Sequence, residues 1–512
     1  MLKKRTVILS AMILLGIGMI LTVLFPLRLV TPAVLFANAA PMVIPSLREW
    51  QGSSGSFMID SASRIVVDPP YTAQLQDTAR VFQNDLFAAT GFSLPVTNTG
   101  SPALGDFFLT LSNSDRGIGN EGYLLKVGDT VIISANTSTG VFYGTRTILQ
   151  TLLQDSTRTH IVRGTARDYP RYQERGFMLD AGRKFFSLSS LEDYVKVMAW
   201  YKMNDFHLHL NDNQIDGGKS PDWKHKYAAF RLYSIRFKGL AAKDGSYTER
   251  DMHELQAVAR QYAVTITPEI DAPAHDLAFT QYRPDLASKT DKELLDLGNP
   301  KTFTLLNTIW DEFLPWFDSP QVDIGADEYP PNYADKYSQF INTYDAYLKG
   351  KGKTIRMWGT LTWMKGSVAI NNDIVTDVWD NQWANPIDMV QQGFRIINAN
   401  DILLYIVPKA GYFHDYLDTK LLYDQWEPNI FNLSNQSLNL NPKDPHLLGG
   451  MFAEWNDKLG SVVSDADVHA RVKPAMQVLS EKMWSGPPTY LTYGQFQQLA
   501  STIGEAPGTH LP

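Results

Sequence analysis

Cysteine is absent from all 512 residues. That excludes thiol nucleophiles, disulfide staples and cysteine-ligated zinc together. Basic charge is also scarce. The chain has 46 Lys and Arg against 54 Asp and Glu, a formal net charge of -8, and no Lys/Arg-rich block beyond its extreme N-terminus. Nucleic acid is therefore not an expected partner. At that N-terminus, Lys3, Lys4 and Arg5 precede VILSAMILLGIGMILTVLF, residues 7–25. The run is long enough to span a bilayer, with its basic flank in the cytoplasm. Ala37 and Ala39 then offer the small-x-small pattern of a signal-peptidase site. Residues 1–40 are expected to be a signal peptide or membrane anchor. The body of the protein would lie outside the cytoplasm, touching the membrane only through this segment.

What the chain does have is apolar and aromatic mass. Hydrophobic residues make up 44% and aromatic residues 12%, enough for a substantial core. The 12 Trp and 23 Tyr suit stacking on flat ligands such as sugar rings. Residues 42–168 read as a small α/β domain. The runs RIVVDP, FFLTLS and TVIISA alternate there with helical stretches, and Gly128-Asp129 marks a hairpin turn. Residues 169–495 repeat a different pattern. Eight short apolar runs end in polar residues: RGFMLDAGR, DFHLHLNDN, TITPEIDAP, VDIGADE, TIRMWGT, DIVTDVWDN, RIINANDILLYIV and LLGGMFAEWND. Eight buried strands with helices between them predict a (β/α)8 TIM barrel with its site at the C-terminal strand ends. Residues 496–512 read as a C-terminal tail.

The polar residues gather at those ends: Asp180 and Arg183, His207 and His209, Asp271, Asp327 and Glu328, Trp379, Asp457. Three chemistries use such a set. His207-x-His209 has the spacing of two metal ligands on one face, but of the other histidines only His275 stands at a strand end. Glycoside hydrolysis needs an acid for the leaving oxygen and a second group for the positive charge at the anomeric carbon. Adjacent Asp327 and Glu328 suit it, because one anion raises its neighbour's pKa and keeps a proton on the acid. A non-catalytic barrel that only binds sugar is the third reading.

The segments DAGRKFF, MNDFHLHLNDNQ, ITPEIDAPAH, IGADEY and AEWND, in this order, resemble glycoside hydrolase family 20, the β-N-acetylhexosaminidases. The resemblance runs from about residue 42 to residue 490 and includes the GVFYGTRTILQ helix of the preceding domain. It implies exo-acting, retaining hydrolysis of terminal β-linked N-acetylhexosamine, without metal or cofactor. The substrate's own acetamide would attack the anomeric carbon to give an oxazolinium ion. By this likeness Glu328 is the general acid and Asp327 orients the acetamide. Arg183 and Asp457 hold sugar hydroxyls, and Asp212 with His275 supports the acid. Trp358, Trp379 and Trp455 line the acetamide pocket, and Tyr405 hydrogen-bonds its oxygen.

Two positions depart from the family. Asp323-Ile-Gly-Ala-Asp-Glu stands where His-x-Gly-Gly-Asp-Glu is common, and Val407 stands where many members have an Asp. Losing that anion, with Gln214 able to donate and accept, would open room for a galactose. The stretch from Leu403 to Phe431 also resembles lacto-N-biosidases, which release galactosyl-β-1,3-N-acetylglucosamine. The alternative to the hexosaminidase is therefore a lacto-N-biosidase.

Overall fold

Seven strands come first along the chain, which a computed structural model describes over residues 37–459, 463–487 and 489–511. They are β1 (Glu49–Met58), β2 (Ile65–Val67), β3 (Val96–Thr97), β4 (Phe107–Thr110), β5 (Tyr123–Val127), β6 (Val131–Ala135) and β7 (His160–Asp168). They form one sheet in the order β1-β7-β5-β6-β4-β2-β3. The β5–β6 hairpin turns at residues 128–130, with Val127 opposite Val131. Helices Thr72–Thr90 and Ser138–Gln154 cover the sheet with apolar faces that include Leu75, Phe82, Val141 and Ile148.

The strands β8 (Glu174–Asp180) and β9 (Asp205–His209) follow, then a ribbon of β10 (Asn211–Asn213) and β11 (Ala228–Phe230). After it come β12 (Thr265–Glu269), β13 (Gln321–Asp323), β14 (Thr354–Trp358), β15 (Val375–Val378), β16 (Arg395–Asn398), β17 (Tyr405–Ile406) and β18 (Leu447–Glu454). Strands β8, β9, β12 to β16 and β18 pair in parallel, and β16 pairs with β18, so eight strands close into a barrel. Alternation decides the two faces. Phe177, Phe206 and Phe452 stack with centroids 5.6 and 4.8 Å apart in the outer core with Tyr194. The alternate positions carry polar groups to the axis: Arg356 of β14 reaches Asp205 of β9 across the barrel.

Three expectations change. The run 395–407 is not one strand; Asn398 accepts from the Asn400 amide, and helix Asp401–Leu404 separates β16 from β17. β13 ends at Asp323, four residues before Asp327, because Gly325 and Ala326 both take φ of +67°. The expected tail holds helix Tyr493–Ile503. A Thr492–Gln495 capping box starts it, and Phe496, Leu499, Ala500 and Ile503 are buried.

The sheet domain is locked to the barrel through buried Asp168, which accepts from Tyr123 Oη at 2.7 Å, Lys202 Nζ at 2.8 Å and Trp484 Nε1 at 3.0 Å. Among the described residues no helix is long and apolar enough to cross a membrane. The run at residues 7–25 lies outside them.

Candidate active site

Asp327 and Glu328 lie on the loop after β13, at the C-terminal mouth of the barrel. Gly325 is required there: its φ is +67°, and a Cβ would stand 1.8 Å from Asp271 Oδ1. Ala326 and Glu328 also take left-handed backbone, at φ +67° and +51°. Such strain persists only where surroundings enforce it. Here Asp271 Oδ1 accepts the Ala326 amide at 3.1 Å, and Tyr337 donates to the Ala326 carbonyl. The turn separates the two acids. The Glu328 side chain is 51% exposed and faces the opening, while that of Asp327 is 15% exposed.

His275 joins them. Its Nε2 is 3.3 Å from Glu328 Oε2 and 3.6 Å from Asp327 Oδ2, and its Nδ1 is 3.3 Å from Asp212 Oδ1. Asp212 Oδ2 lies 2.7 Å from both Arg183 Nη1 and His209 Nε2. Arg183 Nη1 also meets Asp180 at 3.0 Å and Asp457 at 3.5 Å, and its Nε donates to the Asn213 carbonyl at 3.0 Å. Arg183 Nη2 makes no hydrogen bond to the described residues. The predicted Arg183, Asp212, His275, Asp327, Glu328 and Asp457 thus form one connected network.

Its electrostatics divide the two acids. Burial pushes Asp327 up to about 6, against the pull of His275. The His275 imidazole, 3.3 Å away, holds Glu328 below its ordinary value. Burial disfavours charge on His275, yet the anions of Asp327 and Asp212 override it and raise the imidazole well above its usual range. The sequence argument that a neighbouring anion raises the acid's pKa therefore fails for Glu328. His275 holds that proton instead.

The aromatic residues build one wall. Trp358, Tyr405, Trp455 and Val407 are buried in a single cluster, with half-buried Trp379 against it. Ring centroids lie 5.6 Å apart for Trp358–Trp455 and 5.7 Å for Tyr405–Trp455. Trp379 Nε1 donates to the Gly359 carbonyl at 2.9 Å, and Trp455 Nε1 has no partner. Gln214 is bonded through its backbone, its amide donating to the Tyr227 carbonyl and its carbonyl accepting from the Gly217 amide and Asn213 Nδ2. No hydrogen bond or ion pair joins its side chain to the network among the described residues.

Sequence reading missed Glu269 and Arg356. Glu269 Oε2 is 2.8 Å from His207 Nε2 and 2.7 Å from His209 Nδ1, and its Oε1 accepts from Trp358 Nε1 at 2.8 Å. Burial alone would raise this carboxyl; the two imidazoles hold it well below the usual range instead. The available signal was a charge inside a buried strand, in TITPE and in TIRMW. His207 and His209 therefore converge on one carboxylate. His207, Glu269 and Asp323, and likewise Asp180, His209 and Asp212, bring potential ligand atoms within 4.8 Å. Arg356 Nε lies 3.7 Å from Asp323 and Arg183 Nη1 2.7 Å from Asp212, and two further groups, His209 with Glu269 and Asp271 and Asp271 with His275 and Asp327, are as close. A cavity of about 550 Å³ between Tyr169, Glu174, Asp205 and Thr265 opens at the N-terminal strand ends, the opposite face from this network.

A closed (β/α)8 barrel with paired acids, an arginine and an aromatic wall at its C-terminal mouth has the build of a glycoside hydrolase. Residues 172–487 match the catalytic domain of glycosyl hydrolase family 20, and residues 40–169 match that family's domain 2. The chain belongs to this family, that of the β-N-acetylhexosaminidases, and is a glycoside hydrolase. It is 24% identical over 495 residues to a lacto-N-biosidase of Bifidobacterium bifidum, covering 91% of this chain and 42% of that protein. It therefore spans less than half of that relative's length. It is 25% identical over 458 residues to a β-N-acetylhexosaminidase of Cellulomonas fimi, covering 84% of this chain and 87% of the other. The fold is shared with the β-N-acetylhexosaminidase of Streptomyces coelicolor, at a TM-score of 0.74 and 21% identity over 93% of this chain and 98% of that one. An exo-β-N-acetylglucosaminidase of Vibrio harveyi also gives a TM-score of 0.74, at 20% identity over 92% of this chain and 78% of the other.

Proposed function

We propose that this hydrolase removes a terminal β-linked N-acetylhexosamine with retention, using the substrate's acetamide as nucleophile. The observation that carries the reading is the division of the two acids: Glu328 faces the opening, and Asp327 is mostly buried, with an Oδ1 that has no hydrogen-bond partner among the described residues. That orphan oxygen accepts the acetamide N–H. The acetamide oxygen then attacks the anomeric carbon as the glycosidic C–O bond breaks, and Glu328 delivers a proton to the leaving oxygen. Sugar binding expels water from Glu328, which favours its neutral form and draws the proton from His275. Water next attacks the anomeric carbon and gives its proton to Glu328, and the oxazolinium ring opens. Arg183 Nη2, which makes no hydrogen bond to the described residues, serves the sugar hydroxyls, and Tyr405 and the tryptophans hold the acetamide. No step draws on a metal.

The second reading is a lacto-N-biosidase. Two observations favour it: similarity to such an enzyme runs along 91% of the chain, and Val407 puts a buried apolar side chain in the pocket wall. The test is kcat/KM on an aryl β-N-acetylglucosaminide and an aryl β-lacto-N-bioside, each with and without chelator. Preference for the first supports the hexosaminidase, and release of the disaccharide alone replaces it. Turnover of neither, or loss on chelation, removes the proposal. We also propose that residues 1–40 direct export. Mass spectrometry of the mature N-terminus distinguishes a start near Ala40 from an intact anchor, and a full-length chain in the cytosol refutes both.

A further inference from the structure

Trp363 is 48% exposed at the C-terminal face of the barrel, an unusual place to leave an indole in water. It does not stand alone. Its ring centroid lies 5.6 Å from Trp383 with planes 34° apart, and Trp383 lies 5.7 Å from Trp379 with planes 35° apart. Trp379 packs against the pocket cluster of Trp358, Tyr405 and Trp455. Three indoles thus step from the pocket wall to solvent.

The stair is held rigidly. Thr362 and Trp363 amides both donate to the Trp383 carbonyl, at 2.9 and 3.2 Å. Thr362 Oγ1 accepts the Asn385 amide at 2.8 Å, and Asp380 Oδ1 accepts the Trp383 amide at 3.1 Å. The loop carrying Trp363 is also tied to the catalytic acids. Thr360 Oγ1 lies 2.6 Å from Tyr337 Oη, which donates to Ala326, the residue before Asp327. An exposed aromatic is thus fixed at once to the pocket wall and to the acid's loop.

We propose that Trp363, backed by Trp383, is a carbohydrate subsite outside the catalytic pocket. It takes the apolar face of a hexose ring in the leaving part of an oligosaccharide. A pyranose presents axial C–H groups on one face, which pack on an indole much as another ring would. The class of ligand is a glycan with at least two sugars beyond the scissile bond; a simple aryl aglycone is too short to use the whole stair. This rests on the proposed function for the direction of cleavage, but not for the binding itself.

Two measurements test it. The first compares Trp363→Ala with the native enzyme on the aryl glycoside it turns over and on chitotetraose or lacto-N-tetraose, whichever matches. The ratio of oligosaccharide to aryl kcat/KM should fall about tenfold, through KM, with Trp363→Phe restoring most of it. An equal fall on both substrates, or an unchanged ratio, overturns the subsite. The second titrates the same oligosaccharides calorimetrically into Glu328→Gln, with and without Trp363→Ala. A weaker Kd in the double variant supports the stacking even if no glycoside is turned over, so failure of the proposed reaction is distinguished from failure of the subsite. Equal Kd values overturn it.

Discussion

Two buried arginines lie on the barrel axis, and the chain uses them differently. Arg356, near the base, makes a bond through each of its three nitrogens. Its Nε donates to Asp377, Nη1 to Asp205 at 2.6 Å and Nη2 to Met451 Sδ at 2.9 Å. Arg183, at the mouth, spends Nε on a carbonyl and Nη1 on three aspartates, leaving Nη2 without a hydrogen bond to the described residues. At the mouth Asp327 Oδ1, Asp271 Oδ2 and Trp455 Nε1 are buried without a hydrogen-bond partner among the described residues, and lower in the barrel so is Asp323 Oδ2. A buried polar group left unpaired costs free energy, so an arginine bonded through all three nitrogens serves the fold, and one with a nitrogen to spare can serve a ligand. Changing the mouth should thus alter rate at nearly constant stability, and changing the base should do the reverse.

The largest effect belongs to the mouth. Glu328→Gln should lower kcat/KM on unactivated glycosides by about 10²–10⁴, and by less on aryl glycosides with good leaving groups. Its side chain is half exposed, so the Tm should stay close to the native value. Equal losses on both substrate types would remove Glu328 as the acid.

At the base, Arg356→Leu leaves Asp205, Asp323 and Asp377 buried without their cation. Breaking a buried pair in this way costs about 3–5 kcal/mol. Thermal or denaturant unfolding reads it. A variant as stable as the native chain, but slower, would place Arg356 with the catalytic groups and undo the contrast between the two ends.

The two ends were not equally legible in the sequence. All eight barrel strands show as apolar runs, because parallel strands are buried on both faces. The mouth residues show because strand ends gather polar side chains, and Arg183, Asp212, His275 and Glu328 do come together. The base was invisible: Arg356 and Asp205 sit inside apolar runs, and only the closed barrel puts them opposite each other. β1 escaped for another reason. Its sequence EWQGSSGSFM has no alternation and lies mostly exposed, so its place is set by pairing with β7 alone. Gln214 shows the limit of reading by position, since its neighbour Asn213 makes the contact to Arg183.

A smaller effect should appear in the pH profile of kcat/KM, which reports groups of the free enzyme. Asp327 must be an anion to hold the acetamide, and burial pushes its carboxyl up to about 6. Activity should therefore fall about tenfold per unit below pH 6. On the alkaline side it should fall as His275 loses its proton. The linkage to stability has the opposite sense. A carboxyl raised above its unfolded value stabilises the fold below the unfolded pKa, and that contribution is lost as pH rises through the folded value. Asp327→Asn should then abolish the acid limb with the activity, while gaining stability relative to native above pH 6. An acid limb near 4 would show that Asp327 is not the buried group the structure describes.

The smallest effect tests the base by one hydrogen bond. Thr267 Oγ1 donates to Asp205 Oδ1 at 2.6 Å, and both groups are buried. Valine has nearly the same shape, so Thr267→Val removes the donor without opening a cavity. Asp205 keeps Arg356 Nη1 on its other oxygen and is not orphaned. The loss is therefore that of a single bond to a charged acceptor, about 1.5–3 kcal/mol at most. kcat and KM should not move, because Thr267 lies one full residue pair below Glu269 on β12, beneath the floor that carries Trp358. A change in kcat at unaltered Tm would mean that the base transmits to the mouth through β12, and that the two arginine networks are one device rather than two.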